Sequence, residues 1–180
     1  MFEKIMKKQL EEAKGREAIF DRLHLVRIKA VREKNIRYEA CDNYSSTDKM
    51  VKILSSIFDD SDRELLVVIS VDAKMRPIQA EVAAVGGIAE CYVSVPNIFK
   101  GALLCNSSGI ILAHNHPSSG IAEPSGEDKE MTRRVCQAGQ ILGIKLHDHI
   151  ILGCDGTYYS FAEDNKISKY ENEFLYKEVI

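Results

Sequence analysis

Residues 111–132 read ILAHNHPSSGIAEPSGEDKEMT, and a strand, a turn-rich loop and a helix meet within them. The apolar run over 109–113 has the composition of a buried strand, and 115–124 is rich in Pro, Gly and Ser. From Ser125 onward the spacing predicts a helix over 125–142, with Gly143 where a helix stop belongs. Side chains alternate along a strand. If this strand runs on through His116, then His114 and His116 leave one face with Cα atoms under roughly 7 Å apart. Both imidazoles can then reach a single ion at about 2.0–2.1 Å. Asp128 falls in the first turn of the helix and offers a third ligand. Two neutral nitrogens and one carboxylate leave a fourth tetrahedral position for water, as catalytic zinc sites require.

Each part also has a plainly structural reading. A His-x-His pair alone is commonly a pair of edge-strand histidines. Ser125 followed three residues later by Asp128 resembles a helix capping box, although Glu or Gln is usual at that place. An acid there also complements the positive end of the helix dipole. Read together, a histidine pair ending an apolar strand, a turn-rich loop and Ser-x-x-Asp make a coincidence of structural features a poor account.

Downstream, residues 144–152 predict another strand, 157–161 a short one, and the tail is weakly helical. Upstream, Met50, Ile53, Leu54, Ile57 and Phe58 fall at helical spacing, with Ser46 or Thr47 as cap. Glu64 precedes LLVVISV, a β-branched run suited to a buried strand. Strands over 79–85 and 91–95 and a short helix over 97–105 follow, with Pro96 suited to the helix start. Residues 1–22 read as an amphipathic helix broken at Gly15, and 23–31 as a strand with Val26, Ile28 and Ala30 on one face. These elements predict a mixed α/β sheet flanked by helices, without the regular alternation of a doubly wound fold.

The chain has 180 residues, which at about 150 per domain suggests one domain, 23–180, behind a helical extension, 1–22. A chain of this length buries about 70% of its open surface on folding, enough for a real core. The apolar fraction of 45% and charged fraction of 28% exclude collagen, disulfide miniproteins and intrinsic disorder. A net charge of −3 argues against a dedicated nucleic-acid binder, and no apolar run approaches the roughly 20 residues that span a bilayer. The first 37 residues carry 11 basic and 6 acidic side chains, a surplus better suited to a solvated face than to a polyanion site. The start lacks the continuous apolar core of a signal peptide, and five scattered cysteines without a CxxC pair predict a reduced, cytoplasmic protein.

With AHNHPSSG, EPSGED and, downstream, ILGIKLHDHIILG in view, the sequence resembles the RadC-like family of the JAMM (MPN+/JAB) metalloprotease superfamily. That family's motif is an upstream Glu, then HxHP, then S-x-x-D, and the similarity covers about 23–161. The resemblance implies a JAB/MPN-like, cytidine-deaminase-like sheet and a zinc-dependent hydrolase of peptide or isopeptide bonds. It makes His114, His116 and Asp128 zinc ligands and Ser125 the hydroxyl that stabilises the oxyanion. It places the catalytic Glu at the opening of the first sheet strand, which Glu64 matches, with Glu81 in reserve. The loop between HNHP and PS is one residue longer than the family spacing, which bears on the pocket rim. Asp148 and His149 match the family, whereas His147 stands at a place more often apolar. His147 and His149 are expected to share a strand face, with Asp148 opposite. Asp148 or His149 could back a metal-bound histidine, and packing or sheet-edge hydrogen bonds explain them equally well. Cys105 precedes the histidines, but its place in GALLC reads as a buried thiol rather than a nucleophile.

The implied partners are a protein or peptide substrate, with weak DNA association and a homodimer as further expectations and no membrane. Zinc deaminases are a poor alternative, since they need HxE and PCxxC and this chain has no CxxC. The rival of another class is a non-catalytic DNA-associated or protein-binding module of a mobile element, in keeping with the family's DNA-repair label. The resemblance implies that full-length relatives carry an N-terminal helix-hairpin-helix domain, which the segment before Leu23 is not expected to hold. A scaffold acting through 1–22 is a third alternative.

Overall fold

The computed structural model describes residues 31, 33, 35–38, 44, 46–59, 61–86, 94–117 and 122–175. The expected helix over 1–22 and all of the expected strand over 23–31 except Val31, which is exposed, lie outside them. The elements run α1 (Thr47–Phe58), β1 (Leu65–Val71), β2 (Pro77–Val85), α2 (Val95–Leu104), β3 (Gly109–His116), α3 (Gly126–Leu142), β4 (Lys145–Gly153), β5 (Tyr158–Ser160) and α4 (Lys166–Leu175). The strands form one sheet in the order β2-β1-β3-β4-β5. β3 pairs antiparallel with β1 and parallel with β4, so β3–α3–β4 is a parallel crossover inside an otherwise antiparallel sheet. This is the mixed α/β architecture that the sequence predicts. None of the described helices is long and apolar enough to cross a membrane.

Both faces of the sheet are covered, which is why β1 and β3 read as continuous apolar runs rather than alternating ones. On one face α1 lays Met50, Ile53, Leu54 and Phe58 over Val67, Ile69, Ile111 and Ala113. On the other, α2, α3 and α4 cover Leu66, Val68, Ile110 and Leu112 with Phe99, Val135, Cys136 and Ile167. Each large apolar side chain so buried contributes about 1.5–3 kcal/mol, which offsets the cost of the polar cluster at one end of β3.

The local signals explain the boundaries. β3 extends past 113 to His116, because Leu66 of β1 still pairs with His114 and the ladder with β4 runs on to Gly153 opposite His116. α3 stops at Gly143, whose φ of 69° is left-handed, a conformation that costs glycine little. At Gly139 the returning chain comes so close that a Cβ would meet the Ile144 carbonyl oxygen at 2.5 Å. One expectation fails: Val95 is not a strand residue but the first residue of α2, with residues 91–93 outside the described set. Ser94 is extended and Pro96 sits in the first turn, where its fixed φ and missing N–H favour a helix start over a strand end.

Asp148 of β4 is a brace for β5 and the turn after it. Its carboxylate accepts hydrogen bonds from Ser160 Oγ at 2.6 Å and the Ala162 amide at 2.9 Å. Burial nevertheless pushes this carboxyl from 3.8 up to about 6, against the pull of those two bonds. Below its ordinary value the group is protonated in both folded and unfolded chains and costs nothing. As pH rises from there to about 6, the unfolded chain ionises more readily, so stability falls by up to about 1.4 kcal/mol per pH unit. Asp148→Asn removes this slope. Urea midpoints measured across that window should show wild type losing stability relative to Asp148→Asn as pH rises, then holding level. A constant difference would contradict the buried charge.

Candidate metal centre

The site lies where β3 ends and α3 begins, at the loop of the parallel crossover. Ser125 is extended, with φ −68° and ψ 176°, and caps α3 through a reciprocal box. Its Oγ accepts from the Asp128 amide at 3.0 Å, while Asp128 Oδ2 accepts from the Ser125 amide at 2.8 Å and from its hydroxyl at 2.7 Å. Asp128 is buried, and its second oxygen, Oδ1, has no hydrogen-bond partner. An unmatched buried acceptor costs about 1–3 kcal/mol, more when charged. The carboxylate therefore presents a lone pair toward whatever stands beside it.

His114 and His116 stand beside it. His114 is completely buried and His116 half-buried, and both project from β3 on the side of α3. Their Nε2 atoms are 3.1 Å apart, and His114 Nε2 is 3.4 Å from Asp128 Oδ1. One ligand atom from each of the three residues falls within 4.8 Å of the others, a group able to hold a metal ion. Ligands about 2.0–2.1 Å from a tetrahedral ion are roughly 3.4 Å from one another, close to the spacings seen here. Burial lowers His114 to about 4, partly offset by the Asp128 carboxylate and reinforced by His116. Near neutral pH His114 is therefore an uncharged ring, the form that binds metals.

Behind His114 stands a second layer. His114 Nδ1 lies 2.9 Å from His149 Nε2, and His149 Nδ1 lies 2.7 Å from Thr132 Oγ1, whose hydroxyl donates to the Asp128 carbonyl at 2.6 Å. His149 is fully buried and stacks on Phe161, with centroids 4.8 Å apart and planes 9° off parallel. Burial first, then His114 and His116, hold its pKa well below that of an ordinary histidine. Of Asp148 and His149, then, it is His149 that backs His114. No motif in the sequence marks Thr132. Its one signal is its place one turn after Asp128, on the same face of α3.

His147 and His149 do not share a face, contrary to expectation. The β3–β4 register slips between Ile110 and Ile111, a bulge that resets the alternation. Leu146 and His149, three apart, thus both meet the α3 side, while His147 lies against Gly109, where any Cβ would collide with it. Cys105 caps the end of α2, half-buried, its thiol 3.5 Å from the Ala102 carbonyl.

Glu64 immediately precedes β1. The Asn115 side chain accepts from the Leu65 amide at 2.8 Å and donates to the Arg63 carbonyl at 3.1 Å, while the Gly86 amide donates to Glu64 at 2.8 Å. The backbone on both sides of Glu64 is thus tied to the residue between the two histidines. β1 begins at Leu65, so Glu64 stands just outside the strand, two residues before Leu66, which pairs with His114. Glu81 is elsewhere. It pairs with Val68, level with Leu112, one strand further out, and meets Lys100 Nζ at 3.7 Å beside Gly101.

A family model described as a RadC-like JAB domain matches residues 44–167, which spans the sheet, α3 and every residue of this centre. A UPF0758 protein of Histophilus somni is 35% identical over 147 residues, 79% of this chain and 65% of that protein. Another from Actinobacillus succinogenes is 43% identical over 104 residues, 58% of this chain and 46% of its own length. One from Thermotoga maritima is 40% identical over 106 residues, 59% and 47% respectively. The chain therefore spans less than two thirds of the length of these relatives. With the fold, the strand-end histidines and the capped aspartate all inside the matched region, the chain belongs to the RadC-like JAB domain family.

Proposed function

We propose that this chain is a metal-dependent hydrolase of amide bonds, peptide or isopeptide, with zinc as its ion. The observation that supports this most strongly is the unmatched Asp128 Oδ1, 3.4 Å from His114 Nε2, which is itself 3.1 Å from His116 Nε2. Two nitrogens and a carboxylate oxygen are a donor set that suits zinc and leaves a coordination position over for water or substrate. When bound, zinc supplies Lewis acidity, acidifying water from about 15.7 toward 7 and polarising a carbonyl. His114, His116 and Asp128 would hold it.

The remaining steps belong to the chain's own groups. Glu64 takes a proton from the attacking water and returns it to the leaving amine, the two-step duty of a general base. The Ser125 hydroxyl stabilises the carbonyl oxygen as negative charge develops there, a donor typically worth about 3 kcal/mol of barrier. In the resting site that hydroxyl donates to Asp128 Oδ2. It must swing away to reach an oxyanion, and the Ser125 amide remains on Oδ2 when it does. Burial of His114 closes the inner side, so substrate approaches from the side of half-buried His116.

Two outcomes follow. Purified protein should carry about one zinc per chain and His114→Ala should carry none, as read by elemental analysis. Equal zinc in both would remove His114 from the ligand set. On libraries of peptides and isopeptide-linked conjugates, Glu64→Gln should retain its metal yet lose about 10²–10⁴ of the turnover. Chelation should abolish the wild-type activity and added zinc restore it. Unchanged turnover in Glu64→Gln would take the proton-transfer role away from Glu64.

A further inference from the structure

We infer that Thr132 and His149 are positioning residues that hold His114 as its Nδ1–H tautomer, so that the Nε2 it turns toward Asp128 and His116 carries a lone pair and no proton. The inference rests on reading His114 as a metal ligand only for its purpose, not for its chemistry.

The direction of the relay is fixed at its far end. Thr132 Oγ1 and the Asp128 carbonyl oxygen are 2.6 Å apart. A carbonyl has no proton to give, and two oxygens that close without a proton between them repel, so the threonine proton lies in this contact. The hydroxyl has no other proton. Across the 2.7 Å to His149 Nδ1 it can only accept, so His149 carries its proton on Nδ1. Buried and uncharged, His149 then has a bare Nε2. Across the next 2.9 Å that bare nitrogen can only accept, so His114 must donate from Nδ1. A neutral His114 protonated at Nδ1 has only its lone pair on Nε2, so across the 3.1 Å to His116 Nε2 it accepts.

Two separate observations agree. Asp128 Oδ1, 3.4 Å from His114 Nε2, makes no hydrogen bond, so a His114 Nε2 without a proton takes no bond away from it. The stacking of His149 on Phe161 holds the plane of the ring, so its two nitrogens stay aimed at Thr132 and His114. Asp128 thereby stands at both ends of the device. Its main-chain oxygen orders the proton in Thr132, and its side-chain oxygen faces the lone pair that results. The α3 helix sets both, since Thr132 follows Asp128 by one turn.

Replacing the hydroxyl should reverse the relay. In Thr132→Val the His149 Nδ1–H loses its acceptor in a buried place, so the ring gains by protonating Nε2 instead. It then donates to His114 Nδ1 and drives the His114 proton onto Nε2, where a ligand lone pair is needed. Thr132→Ser keeps the hydroxyl and should keep the tautomer.

The test is nitrogen NMR of the histidine side chains in metal-free wild type, Thr132→Val and Thr132→Ser, followed by zinc titration against a chelator of known affinity. Wild type and Thr132→Ser should show Nδ1–H at His114 and His149. Thr132→Val should show a shift toward Nε2–H at both and zinc affinity weaker by about 10–100-fold. Nε2–H at His114 in wild type, or a Thr132→Val variant matching Thr132→Ser in tautomer, would overturn the relay. Wild type with Nδ1–H at His114 but no uptake of zinc would support the relay while overturning the metal-centre reading.

Discussion

Asp128 gives one carboxylate oxygen to the amide and hydroxyl of Ser125, at 2.8 and 2.7 Å, and that bond decides where its other oxygen can go. With Oδ2 turned back onto the helix end, Oδ1 is aimed at the strand, 3.4 Å from His114. The same division anchors the first turn of α3, and a cap of this kind is worth about 0.5–2 kcal/mol to the helix. It also registers the helix against β3, because the capped turn is the one that faces the histidines. The carbonyl of Asp128 holds Thr132 on the next turn, and through it His149. One residue thus ties the helix start, the ligand cluster and the layer behind it.

Such a cluster is costly to bury. His114, Asp128, Thr132 and His149 are all buried where α3 meets the sheet, and an unpaired polar atom there would cost about 1–3 kcal/mol. The chain meets that cost by pairing every nitrogen of His149 and the inner nitrogen of His114. The exception is Asp128 Oδ1, and an exception in an otherwise satisfied network is where a cation gains most. Asp148, one residue from His149, solves its own burial differently, by bonds to Ser160 and Ala162 that bear on the sheet edge and not on the centre.

Much of this is legible in the residues. The apolar run into His114, the Gly143 stop and the Ser-x-x-Asp start place β3 and α3 to within a few positions. Reading Ser125 and Asp128 as a capping box does not exclude a metal site, since Oδ2 of Asp128 makes the cap while Oδ1 is left among the two histidines of a group able to hold an ion. What alternation cannot supply is register. The slip between Ile110 and Ile111 separates His147 from His149, and no count along β4 alone reveals it. Thr132 is hidden for a related reason, because its meeting with His149 depends on how α3 lies across β4. Val95 misleads through composition: a β-branched residue beside Cys91 to Val93 suggests a strand, while the backbone limits of Pro96 favour a helix.

Membership of the RadC-like JAB domain family fits this arrangement, and the central claim is narrower than the family: three side chains meet at one ion and leave a position over. X-ray absorption at the zinc edge of the loaded protein tests it most directly. The account predicts four light-atom neighbours at about 2.0–2.1 Å, with multiple scattering from two imidazoles and no sulfur. Sulfur in the first shell, or scattering from fewer than two imidazoles, would contradict it.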